Sequence, residues 1–62
     1  MKKYNPNLIY IVFDGTSYYG LYGCDIQDEI ANDPYNATEV VEGPFNEWPD
    51  DRIEKLNNEI QI

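Results

Sequence analysis

The feature that most constrains the fold is an Asp-Gly pair set between two runs of strand-forming residues. The first run, Leu8 to Phe13, is aliphatic, β-branched or aromatic throughout, which predicts a strand covered on both faces. The second run, Ser17 to Tyr22, follows closely after Asp14-Gly15. Because a type I′ turn needs a positive φ at both central residues, Asp-Gly favours such a turn. We therefore expect a β-hairpin closed by a type I′ turn.

The chain after this hairpin is expected to form a short helix and a third strand. Asp25 is suited to cap a helix over residues 26–32, because its side chain could accept a hydrogen bond from the first turn. The segment from Thr38 to Glu42 has the β-branched character of a strand, and Gly43-Pro44 would end it.

A second helix is predicted at the C-terminal end. Pro49 suits the first position of a helix that runs to about residue 60. Its apolar stripe has helical spacing and consists of Ile53, Leu56 and Ile60. We thus expect an α+β fold within a single domain over residues 1–62: a small three-stranded antiparallel sheet packed on one main C-terminal helix, in the order β-β-α-β-α.

Length and composition exclude several classes of protein. A chain of 62 residues buries only about 60% of its unfolded surface, so it cannot form a large catalytic scaffold. It has no histidine, which removes the usual catalytic triad and histidine metal sites. The net charge of -8 argues against direct binding of nucleic acid, which requires clustered Lys and Arg. No catalytic motif is present, so we expect a protein that is not an enzyme.

The single cysteine and the short apolar runs bear on the compartment. Cys24 cannot form an internal disulfide, so a reducing cytoplasm is the expected location, and we expect a small buried side chain here. The apolar run before Asp14 is too short for a signal peptide or for a membrane span. We expect no membrane association.

The distribution of charge is more unusual than its sum. Between Tyr4 and Asp51 there is no Lys or Arg, although an average stretch of that length holds about six cations. The same stretch holds ten acids: Asp14, Asp25, Asp28, Glu29, Asp33, Glu39, Glu42, Glu47, Asp50 and Asp51.

The helix dipole explains some of these acids, since carboxylates stabilise the first turn of a helix. The acids expected in first turns are Asp25, Asp28, Glu29, Asp50 and Asp51. Glu39 and Glu42 on a strand, and Glu47 beside Trp48, have no such explanation. Because unneutralised charges repel one another in a marginal domain, we favour a functional acidic face. A merely solubilising surface stays the alternative.

Some of these acids could instead bind a metal ion, but the sequence does not favour a metal site. Asp25, Asp28 and Glu29 could offer oxygen ligands to Ca²⁺ or Mg²⁺, but their surroundings lack the glycine and glutamate of the calcium-binding loop. We expect neither a metal nor another cofactor.

The aromatic residues leave two alternatives open. Phe45 and Trp48 either fold back as a hydrophobic staple for the last helix or form an exposed apolar spot beside Glu42 and Glu47. The six tyrosines suit both an interface and a half-buried sheet surface.

These elements together resemble the short uracil-DNA glycosylase inhibitors of small tailed phages of Bacillus. The similarity covers roughly residues 9–57, with gaps, and includes the Asp-Gly hairpin and a Tyr-Tyr pair at Tyr18-Tyr19. It continues in the acid-aliphatic segment 39–43 and in the Asp-x-Ile-x-Lys-Leu segment of the last helix. Two positions depart from the family pattern, because Gly20 replaces an expected acid and Thr38 an expected aromatic residue.

The resemblance implies a homodimer whose acidic face imitates DNA phosphates and whose apolar pocket captures a leucine of the glycosylase. The expected partner is therefore a host uracil-DNA glycosylase or another DNA-binding enzyme in the bacterial cytoplasm. An inhibitor of a restriction or CRISPR nuclease, and a small acidic interaction module, are the alternatives. The residues expected to contact the partner are Glu39, Glu42, Asp28, Glu29, Tyr19, Tyr22, Phe45 and Trp48.

Overall fold

Residues 4–60 are described by a computed structural model. They form an antiparallel sheet with strand order β2-β1-β3 and two helices. The elements, in chain order, are β1 (Ile9–Phe13), β2 (Tyr18–Tyr22), α1 (Gly23–Ala31), β3 (Glu39–Phe45) and α2 (Asp50–Ile60). The predicted α+β class and the β-β-α-β-α order are confirmed, and α2 packs on the sheet as expected.

The central strand β1 supplies most of the core. Its first four residues are buried, and Ile11 and Val12 are completely inaccessible to solvent. This agrees with the prediction of a strand covered on both faces, since the buried residues of β1 alternate between the two faces and β1 has a neighbouring strand on each side. The fifth buried apolar side chain is Ile26 of α1.

The hairpin is confirmed, but its predicted type I′ turn is wrong. Four residues, 14–17, connect β1 to β2, where a type I′ turn would have two. Gly15 has a φ of +94°, whereas Asp14 has no positive φ. The Asp14 carboxylate instead accepts hydrogen bonds from the backbone N–H groups of Thr16 and Ser17, at 2.8 and 2.9 Å. These bonds lower the pKa of Asp14 and close the loop as an Asx turn.

The helix α1 begins earlier than predicted, and Asp25 is not its cap. Tyr22 occupies the N-cap position, and no side chain caps the helix there. The reason is that the hairpin ladder continues into the helix, because the Gly23 N–H donates to the Leu8 carbonyl at 2.9 Å. A Cβ at Gly23 would lie 2.0 Å from the backbone oxygen of Asn5, so a side chain is excluded at this junction.

Two further expectations about α1 are also wrong. Cys24 is exposed rather than buried, and Ile26 is the side chain of this helix that fills the core. Asp28 and Glu29 lie beyond the first turn because the helix begins before Asp25, which alone of the three occupies that turn. The helix dipole therefore does not account for Asp28 and Glu29.

The strand β3 continues through Gly43-Pro44, where it was expected to end. Its pairing with β1 is interrupted by two register shifts, so extra residues bulge from the ladder. Gly43 has a φ of +131°, and a Cβ there would meet the Tyr10 ring at 2.6 Å. Pro44 is tolerated because β3 is an edge strand and one missing N–H can face solvent.

The C-terminal helix α2 is fastened to β2 by a side chain near its end. Pro49 lies just before the helix rather than at its first position, and its carbonyl accepts the Ile53 N–H at 3.0 Å. One turn further along, the Asn57 amide accepts the backbone N–H of Tyr18 at 2.7 Å and donates to the Tyr18 carbonyl at 3.0 Å. Asn57 thus pairs with β2 as a neighbouring strand would.

Candidate functional site

The sheet divides the eight predicted contact residues between its two faces. Successive strand residues point to opposite faces, so Tyr19 and Gly20 look in opposite directions. The Tyr19 hydroxyl lies 3.4 Å from a carboxylate oxygen of Glu29 on α1, whereas a Cβ at Gly20 would meet Trp48 and Ile53. Tyr19 and the α1 acids therefore belong to one layer. The strand register places the others on the α2 face: Tyr22, Glu39, Glu42, Phe45 and Trp48.

Tyr22 and Trp48 form an exposed aromatic pair on the α2 face. Their ring centroids are 5.6 Å apart with the planes at 52°, and each residue is 45% exposed. The inner side of the indole rests on the backbone of Gly20, where an added Cβ would lie 3.0 Å from the ring. Ile53 lies next to this position, as expected for a hydrophobic staple. Both predicted alternatives for Trp48 thus hold in part, because one side is packed and the other faces solvent.

An open concavity adjoins the aromatic pair. Its lining is formed by the segment between β3 and α2: Phe45, Asn46, Glu47, Trp48 and Pro49. Phe45 is half-buried, and Glu47 is exposed. The lining of the concavity therefore combines two aromatic side chains with the exposed Glu47.

Glu42 is the predicted contact acid that the fold neutralises. Its two carboxylate oxygens share the Nε–H of Arg52, at 3.0 and 2.9 Å, and one of them also accepts a hydrogen bond from Nη2. The hydrogen bonds from Arg52 lower the pKa of Glu42. This pair ties β3 to α2, so Glu42 has a structural role in addition to any contact that it makes.

Most other acids carry unneutralised charge. The Arg52–Glu42 contact is the one ion pair found between residues 4 and 60. Asp33 accepts backbone hydrogen bonds from the loop before β3, which lower its pKa, but it keeps its charge. The exposed acids of the α1 layer are Asp25, Asp28 and Glu29. Those on or just before α2 are Glu47, Asp50, Asp51, Glu54 and Glu59.

Two of the predicted acids lie far from the aromatic pair. Glu39 is exposed at the start of β3 opposite Phe13, whereas Phe45 at the other end of β3 pairs with Ile9. Glu29 faces Tyr19, and burial of that phenol, followed by the charge of Glu29, raises the pKa of Tyr19. These carboxylates extend the acidic surface rather than surround the aromatic rings.

Tyr35 is a candidate contact residue that the sequence analysis missed. It is 85% exposed in the loop between α1 and β3. Asp33 holds this loop by accepting the N–H groups of Tyr35, Ala37 and Thr38 at 2.6–2.9 Å, and Asn36 has a φ of +54°. The signal was an aspartate two residues before the tyrosine, which is typical of an Asx turn.

The described residues offer neither a metal site nor a membrane span. From residue 4 to residue 60, no group of three acidic or cysteine side chains is arranged so that it could hold a metal ion. Neither helix in that part of the chain has the length and apolar character needed to cross a bilayer.

Comparison with known proteins assigns no family. No protein-family model matches the chain. No curated protein and no solved structure is significantly similar to it either. The function must therefore be argued from the residues and geometry described above.

Proposed function

We propose that this protein is a non-enzymatic inhibitor that imitates the charge of DNA and blocks the DNA-binding groove of a DNA-processing enzyme. The observation that carries the proposal is an exposed aromatic pair, Tyr22 and Trp48, beside carboxylates that no cation of the described residues neutralises. A DNA-binding groove is basic, and an enzyme that flips bases adds an apolar wedge. Carboxylates around an apolar surface complement such a groove.

The domain carries more negative charge than solubility alone would require, and this supports the proposal. Self-repulsion destabilises a compact state, and this domain is small enough for that cost to matter. Within residues 4–60, the acids of both helix layers nevertheless form no ion pair apart from Glu42 with Arg52, and both helices pack against β2. Exposed carboxylates therefore lie on both faces of the sheet, next to β2.

The roles of the residues follow from this arrangement. Tyr22, Phe45 and Trp48 supply the apolar contact on the α2 face, next to Glu47. Glu39 extends the charge toward the hairpin end of the sheet. The remaining proposed charge contacts lie on the α1 layer and are Asp28 and Glu29, next to Tyr19.

The target proposed first is a host uracil-DNA glycosylase, because the sequence resembles inhibitors of that enzyme. The proposed setting is the cytoplasm of a bacterial host, and the proposed active form is a homodimer. Sedimentation equilibrium over a range of protein concentrations tests the dimer separately from inhibition.

Titration of purified uracil-DNA glycosylase acting on uracil-containing DNA tests the proposal. We expect inhibition that weakens steeply as salt rises, because the contact is electrostatic. Trp48→Ala should weaken inhibition about tenfold or more, as loss of an interface anchor does. Glu39→Gln should weaken it by a smaller factor. Asn58→Ala, a change at an exposed position of α2, serves as the control.

The result separates the proposal from its alternatives. Absence of inhibition at micromolar excess would remove uracil-DNA glycosylase as the target, and the same titration is then run on restriction and CRISPR nucleases. Binding that is strong but independent of salt would favour an acidic interaction module without DNA mimicry. Unchanged inhibition by both variants would place the contact on another face.

A further inference from the structure

We propose that the aromatic pair is a binding site for an arginine side chain of the partner protein. This inference deepens the proposed function, on which it rests for the class of partner. It differs from the leucine capture that the family resemblance implies. The structure favours a planar cation over an aliphatic side chain for three reasons, which concern shape, charge and the support of Trp48.

The shape of the site suits stacking rather than insertion. The rings of Tyr22 and Trp48 meet at 52° with centroids 5.6 Å apart, so they form two walls open to solvent. Each residue is 45% exposed, and the neighbouring concavity is open rather than enclosed. A leucine gains most from an enclosed pocket that removes it from water. A guanidinium gains from an aromatic face while its edges stay hydrogen-bonded to water or carboxylates.

The charge near the aromatic pair favours a cation. Glu47 precedes Trp48 and lines the concavity, and Asp50 and Asp51 follow in the first turn of α2. The nearest cation along the chain, Arg52, is engaged by the Glu42 carboxylate. The unpaired charges beside Trp48 in the sequence are therefore negative, and a guanidinium would balance them. An aliphatic side chain would not.

The support of Trp48 makes the site pre-formed. The indole lies against Gly20, where any larger residue would push a Cβ to within 3.0 Å of the ring, and Ile53 lies beside it. This explains why glycine suits position 20, where the resembling family has an acid. A ring held from behind loses little freedom when its outer face is covered, so binding costs less ordering of the site.

The experiment uses the single tryptophan of the chain as its reporter. Trp48 fluorescence is followed while the whole protein is titrated with four peptides that alternate glycine with arginine, lysine, citrulline or leucine. We expect a saturable change with the arginine peptide. We expect binding about 2–5-fold weaker for the lysine peptide, since a planar guanidinium stacks on aromatic faces and an ammonium does not. The citrulline and leucine peptides should give no saturable change.

Matched variants locate the site. Tyr22→Leu keeps apolar bulk against Trp48 but removes the aromatic face. It should weaken binding of the arginine peptide about 2–5-fold. Glu47→Gln should weaken it more than Glu39→Gln, which removes the same charge at the far end of β3. Tyr35→Ala, at the other exposed tyrosine, should change nothing. Circular dichroism checks that each variant is folded.

Two results would overturn the inference. One is a leucine peptide that changes Trp48 fluorescence as strongly as the arginine peptide does. The other is equal binding of the arginine peptide by Tyr22→Leu, Glu47→Gln and their controls. Because no DNA-processing enzyme is present, failure here leaves the inhibition titration to decide the proposed function. Conversely, binding of arginine at this site would stand even if no glycosylase were inhibited.

Discussion

The two helices are attached to the sheet in different ways. The α2 layer is fixed by directed polar contacts, in which Asn57 binds the Tyr18 backbone and Arg52 binds Glu42. The α1 layer depends on one completely buried side chain, Ile26, on the backbone hydrogen bond from Gly23 to Leu8, and on a long contact between Glu29 and Tyr19. Apart from the contact of Glu29 with Tyr19, the acids of α1 form no ion pair and no side-chain hydrogen bond within residues 4–60. On the α2 side, by contrast, Glu42 and Trp48 both stabilise the fold and belong to the candidate contact surface.

The largest expected effect concerns the apolar anchor of α1. Ile26→Ala removes a fully buried side chain, which costs about 2–5 kcal/mol. A 62-residue domain has a total stability of roughly 3–9 kcal/mol, so the variant should be largely destabilised. Leu56→Ala in α2 should cost less, because the Leu56 side chain is only half-buried. Urea unfolding measures both, and an equal cost would contradict the contrast between the two layers.

The next effect concerns the Asn57 clasp, the two hydrogen bonds between the Asn57 side chain and the Tyr18 backbone that join α2 to β2. Asn57→Ala removes two hydrogen bonds and leaves the Tyr18 backbone groups without a protein partner, which should cost about 1–3 kcal/mol. Asn58→Ala, at the exposed neighbour, should stay within about 0.5 kcal/mol of the parent protein. Urea midpoints distinguish the two. If Asn57→Ala matched its control, the clasp would contribute nothing to stability.

The ion pair on the α2 side should appear in the pH dependence of stability. Arg52 lowers the pKa of Glu42 in the folded state below its ordinary value of 4.5. The stability that this adds is fully present above the ordinary pKa and is lost as pH falls through the folded-state pKa. Glu42→Gln should therefore lose less stability on acidification than the parent protein does, as thermal unfolding at stepped pH would show. Glu39→Gln should lose as much stability on acidification as the parent protein does. If the two variants depended on pH in the same way, the role of the ion pair would be contradicted.

The smallest effect belongs to the α1 face. Burial raises the pKa of Tyr19, and the negative charge of Glu29 raises it further. Glu29→Gln should lower this pKa while leaving it above its ordinary value, because the burial remains. Alkaline titration of tyrosinate absorbance checks this, with Asp25→Asn as the control. The free energy of unfolding of Glu29→Gln should differ from that of the parent protein by no more than about 0.5 kcal/mol. A larger loss would give Glu29 a structural role.

Local patterns were enough to predict the hairpin, the element order and the extent of α2. Asp14, however, closes a four-residue loop with its side chain, which a dipeptide rule does not represent. The start of α1 depends on pairing between Gly23 and Leu8, a contact between segments distant in the sequence. The continuation of β3 likewise depends on close approach of Gly43 to Tyr10.

The candidate site was predicted as a set of residues but not as an arrangement. Alternation along β2 puts Tyr19 and Tyr22 on opposite faces, but no local pattern specified which face each helix covers. The pairing of Glu42 with Arg52 joins two elements that the sequence separates by a loop. Tyr35 was passed over because turn residues indicate a change of direction more clearly than they indicate exposure.

The Asn57 clasp also affects how copies of this chain can associate. An open strand edge can be extended by a strand from another molecule, which is a common route to aggregation. At Tyr18 the outward backbone groups of β2 are already occupied by Asn57. On the opposite edge, β3 has two register shifts and a proline, both of which hinder continuous pairing. Strand addition is therefore hindered at Tyr18 on one edge and along β3 on the other, and we expect a homodimer of this protein to associate through its helices or the aromatic pair.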